Sequence, residues 1–385
     1  MKNIGKAMSS RKLKILVVGA GPAGSSAAYH LARNGHEVII ISPSKPKEKV
    51  CGGGIPMKCL ERFNLLYQDF PAVKKRYQDI AFSFDGEDRC KISMPGGLAI
   101  ISRKEHDSYL LDQALQAGAS FFEKRFKSCE ESNGQWRVKT DVDDLVVDYI
   151  VGADGAMSRV RNQLTEKLPR ESYFKGHDYL ISKTDLPLHV GFDKDLDGYL
   201  WVFPRANNCS VGLVDFSENR QGRLEILDQY MAQFDIQEKD IIKKRSAIIP
   251  SLRKSDLKAL KIADKNWALV GDAAALAEPL TGEGIYYAVY SGELLARSLE
   301  KGEDYNKVWR QSFRQIIEEA KISRRAYGFI NSSFAKRLLQ HSSVMRQLMG
   351  EQLAAVKSGR YYRLKGLLLS PIILLQAIFC KRQSL

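Results

Sequence analysis

The chain has 385 residues, enough for two or three domains and a large core, and its apolar (44%) and charged (27%) fractions are those of an ordinary globular protein. A formal charge of +14 favours an anionic partner, yet the basic residues are spread out, with no long Lys/Arg block and no nucleic-acid module; this argues against nucleic acid and for an anionic membrane surface or a charged cofactor. Six scattered cysteines without a Cys-x-x-Cys pair argue against a disulfide framework or structural zinc and for a reducing compartment.

Met1 to Lys14 is polar and basic, so no signal peptide is expected and a cytoplasmic location follows. Ile15-Leu16-Val17-Val18 predicts a buried strand, which Gly19-Ala20-Gly21-Pro22-Ala23-Gly24 turns into a helix ending near Asn34, before Gly35. Gly19 permits the tight turn, Gly21 lets a pyrophosphate approach the backbone, and Gly24 lets the helix pack on the strand. Free N–H groups and the positive end of the helix dipole then face the phosphates, next to Ala23. The motif alone is weak; following a strand and opening a helix, it is specific.

Glu37-Val38-Ile39-Ile40-Ile41 is a second strand at βαβ spacing. An acidic residue normally ends this strand and holds the adenosine ribose, but Ser42 stands here. Ser42, Ser44, Lys45 and Lys47 either cradle a 2′-phosphate, which would mean NADP, or form a solvated loop. Cys51-Gly52-Gly53-Gly54 suits a loop lying flat against a ligand, with Cys51 either at a reactive centre or buried and inert.

Ile80, Phe82 and Phe84 alternate, Asp85-Gly86 turns, and Cys90, Ile92 and Met94 alternate again, predicting a hairpin in a second domain that interrupts the first. Ser102-Arg103-Lys104-Glu105 is a capping box for a helix reaching Ala117 and stopped by Gly118. Asn133-Gly134 turns a hairpin, and a strand from Leu145 to Val151 delivers Gly152-Ala153-Asp154-Gly155. With Arg159 and Arg161 beyond it, this suits a nucleotide site or an ordinary Asp-Gly turn.

From about Tyr173 to Ile249 the pattern is mainly β. In Tyr199-Leu200-Trp201-Val202-Phe203-Pro204 the three aromatics share one face, where they either wall a cavity for a flat or greasy ligand or belong to the sheet core. Trp267 to Val270 is a strand ending in Gly271-Asp272, followed by Ala273, Ala274 and Ala275, then Pro279, Gly282, Glu283, Gly284 and Ile285, then a helix. Asp272 can bind a polyol hydroxyl, and the helix N-terminus after Gly284 can stabilise negative charge on a reduced ring. The C-terminal part is helical and basic, with an uncharged run from Gly366 to Cys380 that is short for a membrane span. With Ser370 and Pro371 as a helix start, it lies in an anionic membrane interface, docks on the core or forms a lid.

Gly19 to Gly24, Gly152-Ala-Asp154-Gly155 and Gly271-Asp272-Ala-Ala, in that order, resemble the FAD-dependent oxidoreductases of the glutathione-reductase-like class, in the branch of p-hydroxybenzoate hydroxylase, flavin halogenases and geranylgeranyl reductases. Within it the chain looks most like the geranylgeranyl reductase family. Cys51 to Gly54 matches that family's loop beside the flavin ring, Tyr199 to Pro204 its Y-x-W-x-F-P stretch lining the prenyl cavity, and Arg103 the arginine near the FAD.

The resemblance implies an α/β fold. A discontinuous Rossmann-like FAD-binding domain (12–75, 96–170, 262–300) would carry an inserted antiparallel-sheet substrate domain (76–95, 171–261) and a C-terminal helical region (301–385). It implies FAD as cofactor, held by Gly19, Gly21, Ala23, Gly24, Ser42, Gly52, Gly53, Arg103, Asp154, Gly155, Asp272, Pro279, Gly282, Gly284 and Ile285. The reaction it implies is saturation of C=C bonds in a prenyl lipid or quinone tail, with Cys51, Tyr199 and Trp201 at the reacting centre, NADPH or ferredoxin as reductant, and a peripheral place on the inner face of the membrane. Three positions depart from the family pattern: Ser42, Ala275 for the glycine closing G-D-A-A-G, and Val214 for the second glycine of a pair after the F-P stretch. The rival expectations are a flavin monooxygenase or halogenase acting on an aromatic substrate, and a non-catalytic nucleotide-binding scaffold at the membrane.

Overall fold

The computed structural model describes residues 11–68, 70, 76–216, 222–250, 260–278, 281–314 and 332–353. In chain order the elements are β1 (Lys14–Val18), α1 (Pro22–Arg33), β2 (Glu37–Ser42), β3 (Gly54–Pro56), α2 (Met57–Arg62), α3 (Asn64–Tyr67), β4 (Arg76–Phe84), β5 (Asp88–Ile100), α4 (Arg103–Gln116), β6 (Ser120–Glu123), β7 (Phe126–Ser132), β8 (Gln135–Thr140), β9 (Asp144–Val147) and β10 (Tyr149–Gly152). There follow α5 (Arg159–Leu164), β11 (Tyr173–Ile181), β12 (His189–Phe192), β13 (Gly198–Pro204), β14 (Cys209–Asp215), α6 (Arg223–Ala232), β15 (Ile241–Pro250), β16 (Ala263–Asp264), β17 (Trp267–Leu269), α7 (Ile285–Lys301), α8 (Tyr305–Ser312), α9 (Ser333–His341) and α10 (Ser343–Leu353). The chain divides into two compact units, of which the first takes the described residues of 11–48, 103–173 and 248–314 and the second those of 49–102, 174–247 and 332–353.

The first unit is built on a six-stranded sheet in the order β16-β17-β10-β1-β2-β6. Its β17-β10-β1-β2-β6 part is parallel, so β1 is covered on both faces and reads as an unbroken apolar run; Ile15, Leu16 and Val17 have no solvent exposure. Helix α7 crosses α1 at Gly292, where an added Cβ would stand 2.6 Å from the Ala27 nitrogen. The expected single strand from Leu145 to Val151 is two strands in different sheets. The break falls at Asp148, whose carboxylate accepts the Lys14 N–H at 2.8 Å and the Gln135 side-chain amide at 2.9 Å; β9 joins the small β7-β8-β9 sheet while β10 lies beside β1.

The second unit holds an eight-stranded sheet in the order β15-β11-β14-β13-β12-β4-β5-β3. The β4–β5 hairpin turns where expected, at Asp85 and Gly86, both with positive φ. Gly54–Pro56, read as loop, is the edge strand β3, paired with Leu98 to Ile100. This pairing draws 49–68 and 96–102 into the second unit, although motif order places them in the first domain. The described part of 301–385 is likewise divided, α8 going with the first unit and α9 and α10 with the second.

Strand register sorts the two faces of this sheet. Leu200 and Val202, with Leu213, Val211, Tyr179 and Ile181, form one core with Leu227, Tyr230 and Met231 of α6. That helix lies inside the stretch read as mainly β; its apolar residues recur at helical spacing. The opposite face carries Trp201, Val190, Phe82 and their row mates, with the Phe192 ring stacked 5.9 Å from Phe82 and 5.4 Å from Phe84. Helix α10 comes down on β5 at Gly350, where an added Cβ would lie 1.9 Å from the Ser93 carbonyl oxygen. Among the described residues no helix is long and apolar enough to cross a membrane, and the Gly366–Cys380 run, with Ser370 and Pro371, lies outside them.

Candidate functional site

In the first unit the glycine motif leaves an open helix end. Gly21 is the N-cap of α1, with no side-chain cap and no acidic residue in the first turn, although Pro22, Ala23 and Gly24 are buried. The N–H groups of that turn are thus left for a ligand, and the turn itself carries no acidic side chain to oppose an anion. A Cβ on Gly19 would lie 2.3 Å from the Ala153 oxygen, and one on Gly24 would lie 1.9 Å from the Gly19 oxygen, so both glycines are dictated by backbone crowding. Ser42 ends β2, its carbonyl accepting the Lys124 N–H at 3.0 Å, beside the same motif, where the Gly19 N–H bonds the Ile41 oxygen at 2.8 Å.

A second helix end, partly closed by Glu283, belongs to α7. Its N-cap, Gly284, also lacks a side-chain cap, and Ile285 opens the helix as a buried residue. The Asp272 carboxylate lies close by: a Cβ on Gly284 would stand 3.5 Å from its Oδ1. Gly282 has φ of +70° and donates to the Glu278 carbonyl at 2.9 Å. Glu283 accepts the Tyr286 N–H at 2.8 Å, yet burial, with Glu278 adding to it, pushes its carboxyl up to about 7. Pro279 lies outside the described residues.

Two other residues singled out by sequence are engaged locally. The Asp154 carboxylate caps α5, accepting from the Ser158 hydroxyl and from the Arg159 and Val160 N–H groups at 2.7 and 3.2 Å, while Gly155 takes a positive φ just after it. Arg103 opens α4 and grips Asp107 with two hydrogen bonds of 3.0 and 2.8 Å. The α4 N-terminus donates to a more distant residue: the Glu48 carboxylate takes the N–H groups of Arg103 and Lys104, each at 3.2 Å. Arg161, read from sequence as part of a nucleotide site, acts here as a support. Its buried guanidinium reaches the Ala273 carbonyl at 3.2 Å and the Tyr173 hydroxyl at 2.8 Å, tying α5 to the Gly271–Ala274 turn.

In the second unit the Cys51 loop and the aromatic strand meet. The Phe203 ring covers the loop so closely that a Cβ on Gly52 would lie 2.4 Å from its Cδ2, and one on Gly54 3.0 Å from its Cε2. Gly53, with φ of +85°, faces the Ile101 backbone; its N–H donates to the Cys51 Sγ at 3.3 Å and its oxygen accepts from Ile101 at 3.0 Å. Tyr199 and Trp201 stand in the same row as Phe203, with ring centroids 6.0 Å apart, on the face turned away from the core that Leu200 and Val202 join. Gly212 lies between Trp201 and Asp178: an added Cβ would meet the indole at 2.4 Å. Val214 pairs with Tyr199, so its side chain flanks that ring where the family pattern has glycine.

These features suit a dinucleotide. The first unit offers the uncapped α1 end, a second helix end at α7 of which Glu283 takes one N–H, and glycines that no larger residue can replace, the arrangement that admits a pyrophosphate to backbone N–H groups.

Comparison with known proteins agrees. The family model described as FAD binding domain matches residues 12–302. Geranylgeranyl diphosphate reductase of Rhodobacter capsulatus is 30% identical over 308 residues, covering 74% of this chain and 75% of the relative. Menaquinone reductase of Mycolicibacterium smegmatis is 30% identical over 328 residues, covering 77% and 78%. Among solved structures, a geranylgeranyl bacteriochlorophyll reductase-like protein of Thermoplasma acidophilum superposes with a TM-score of 0.74 at 19% identity, over 92% of this chain and 98% of that one, a likeness of fold.

Proposed function

This chain belongs to the FAD-binding domain family, in the branch of the geranylgeranyl reductases, and on that premise we propose that it saturates carbon–carbon double bonds in the prenyl chain of a lipid or of a quinone. That it is an FAD-dependent oxidoreductase follows from the family itself. FAD, when bound, supplies the two-electron reduction.

The chain's own residues divide the rest of the work. The α1 end, with Gly19, Gly21, Ala23 and Gly24, binds the pyrophosphate; the α7 end, with Gly282, Gly284 and Ile285, stabilises negative charge. Tyr199, Trp201 and Phe203 line up an apolar chain. An isolated alkene has no carbonyl to share developing charge, so placement and exclusion of water must carry much of the rate. Cys51, held by the Gly53 N–H, is the candidate to relay the proton that completes saturation. The observation that supports this reading most is the aromatic row itself. It lies on the sheet face that the α6 core does not use, against the Cys51–Gly54 loop.

The test is anaerobic. Flavin reduced in the purified protein should regain its absorbance when a geranylgeranyl lipid is added, with a product heavier by two hydrogens per bond; with a menaquinone the added hydrogens must be found in the tail after the ring is reoxidised, because reduction of the ring alone would also reoxidise the flavin. Reoxidation by oxygen alone would refute the proposal. Running the reduction with NADPH and then with reduced ferredoxin identifies the donor.

A substrate held in a membrane also gives the excess of basic residues a surface to meet. Binding to anionic liposomes that is lost on truncation at Lys365 would support peripheral association; unchanged binding would remove the C-terminal segment from it.

A further inference from the structure

One buried polar network is left over once the cofactor and the apolar substrate are accounted for. On the aromatic face of the second unit, the Trp201 indole N–H donates to the Ser210 hydroxyl at 3.0 Å, and Ser210 donates to Asp178 Oδ2 at 2.9 Å. Arg245 closes the far side of Asp178 with two hydrogen bonds of 2.8 and 2.7 Å. Ser210 and Asp178 have no solvent exposure. A serine hydroxyl has one hydrogen to give. Asp178 takes it, so the oxygen lone pairs turn to the indole and fix the ring's direction. Gly212 provides the space for this approach.

Arg205 lies near the same carboxylate and reaches the Cys51 loop. It is buried at 2% exposure, its charge bears on Asp178, and it donates to the Cys51 carbonyl at 2.7 Å. It follows Pro204 directly, and its own N–H bonds the Asn208 oxygen at 2.8 Å, so the guanidinium is anchored at the end of β13. One carboxylate thus stands behind both the Trp201 ring and the arginine that holds the Cys51 loop.

We propose that Asp178 and Arg205 are positioning residues of the substrate side: Asp178, through Ser210, sets the Trp201 indole, and Arg205, through the Cys51 carbonyl, sets the Cys51–Gly54 loop. The assignment of Trp201 and Cys51 to the substrate side is the one made above; the network is tested without it.

The full-length protein is labelled with 15N-tryptophan. The chain has four tryptophans, and the indole signal missing in Trp201→Phe is that of Trp201. Ser210→Ala should move this signal and speed its hydrogen exchange by about fivefold, the factor of one neutral hydrogen bond; Asp178→Asn should move it in the same direction. Arg205→Met should raise the rate of Cys51 alkylation, followed on its peptide by mass spectrometry, and Arg205→Lys, which can still donate to the carbonyl, should restore it. Ser210→Ala and Arg205→Lys are mild enough to keep the test open should Asp178→Asn fail to fold. An unmoved indole in folded Ser210→Ala, or an unchanged Cys51 rate in folded Arg205→Met, overturns the proposal. None of these readings needs turnover, so a wild-type protein inactive on every prenyl compound would defeat the proposed reaction and leave the network standing.

Discussion

The Phe203 ring lies on the backbone of Gly52, with room for a hydrogen between them and none for a methyl group: an added Cβ would stand 2.4 Å from Cδ2. Gly52→Ala should therefore cost about 1–3 kcal/mol, as overpacking does. Phe203→Leu removes the obstacle, so Gly52→Ala in that background should cost less. A double-mutant cycle in urea that returns no coupling would contradict the contact.

Cofactor loading should discriminate between two glycines of the first unit. Gly24→Ala drives a methyl group to 1.9 Å from the Gly19 oxygen, so α1 must leave β1, and bound flavin per chain should fall more than about tenfold. Gly35 has φ of +85° and nothing near it; Gly35→Ala should cost about 1 kcal/mol of stability and keep its flavin. Absorbance of the purified variants and their melting temperatures separate the two outcomes.

Asp107 is a buried acid-sensitive point of the first unit. Burial alone would raise its carboxyl, but the Arg103 charge and the hydrogen bonds from His106 and Arg103 outweigh burial and hold it well below the carboxylate range. Its stabilisation is complete above the ordinary value of 3.8 and drains away as pH falls below it. Asp107→Asn, which leaves the partly buried Arg103 beside a neutral group, should lose about 3 kcal/mol at neutral pH. Urea midpoints of the variant should then decline less with acid than those of the wild type, the remaining slope coming from carboxylates such as Asp148 that are also held low.

Glu283 works with the opposite sign. Its carboxyl is raised from 4.5 to about 7, so the protonated form suits the fold; stability is full below 4.5 and is lost as pH rises through about 7. Glu283→Gln keeps the neutral form at every pH. It should gain on the wild type across that window, by at most about 3 kcal/mol, seen as a melting-temperature difference that grows with pH. A constant difference would mean that Glu283 is already ionised in the fold.

The features legible in sequence are those whose cause is local. Gly19 to Gly24 follows a strand and opens a helix within ten residues, and the Asp85-Gly86 turn sits between two alternating runs, so spacing alone places both. Tyr199, Trp201 and Phe203 share a face by period two, but which face the core takes depended on α6, whose apolar residues are interrupted by charges. The strand break at Asp148 needed Lys14 as partner, and β3 needed β5; neither partner is near in sequence. Arg205, Asp178 and Ser210 were passed over for the same reason. Their one local signal is a charged residue set directly after an aromatic-proline strand end, at Arg205.

Helix α1 is complete by residue 33, whereas the helix that crosses it at Gly292, α7, ends at 301. At the pace of a ribosome, about 5–20 residues per second, the first waits on the order of ten seconds to a minute for the second to emerge. The second helix end of the site arrives with that late helix. A nascent chain can fold its opening strand–helix pair early, but the α7 end joins it only once residue 285 and those after it have been made. Flavin binding that draws on both helix ends therefore waits for α7, long after α1 could have formed.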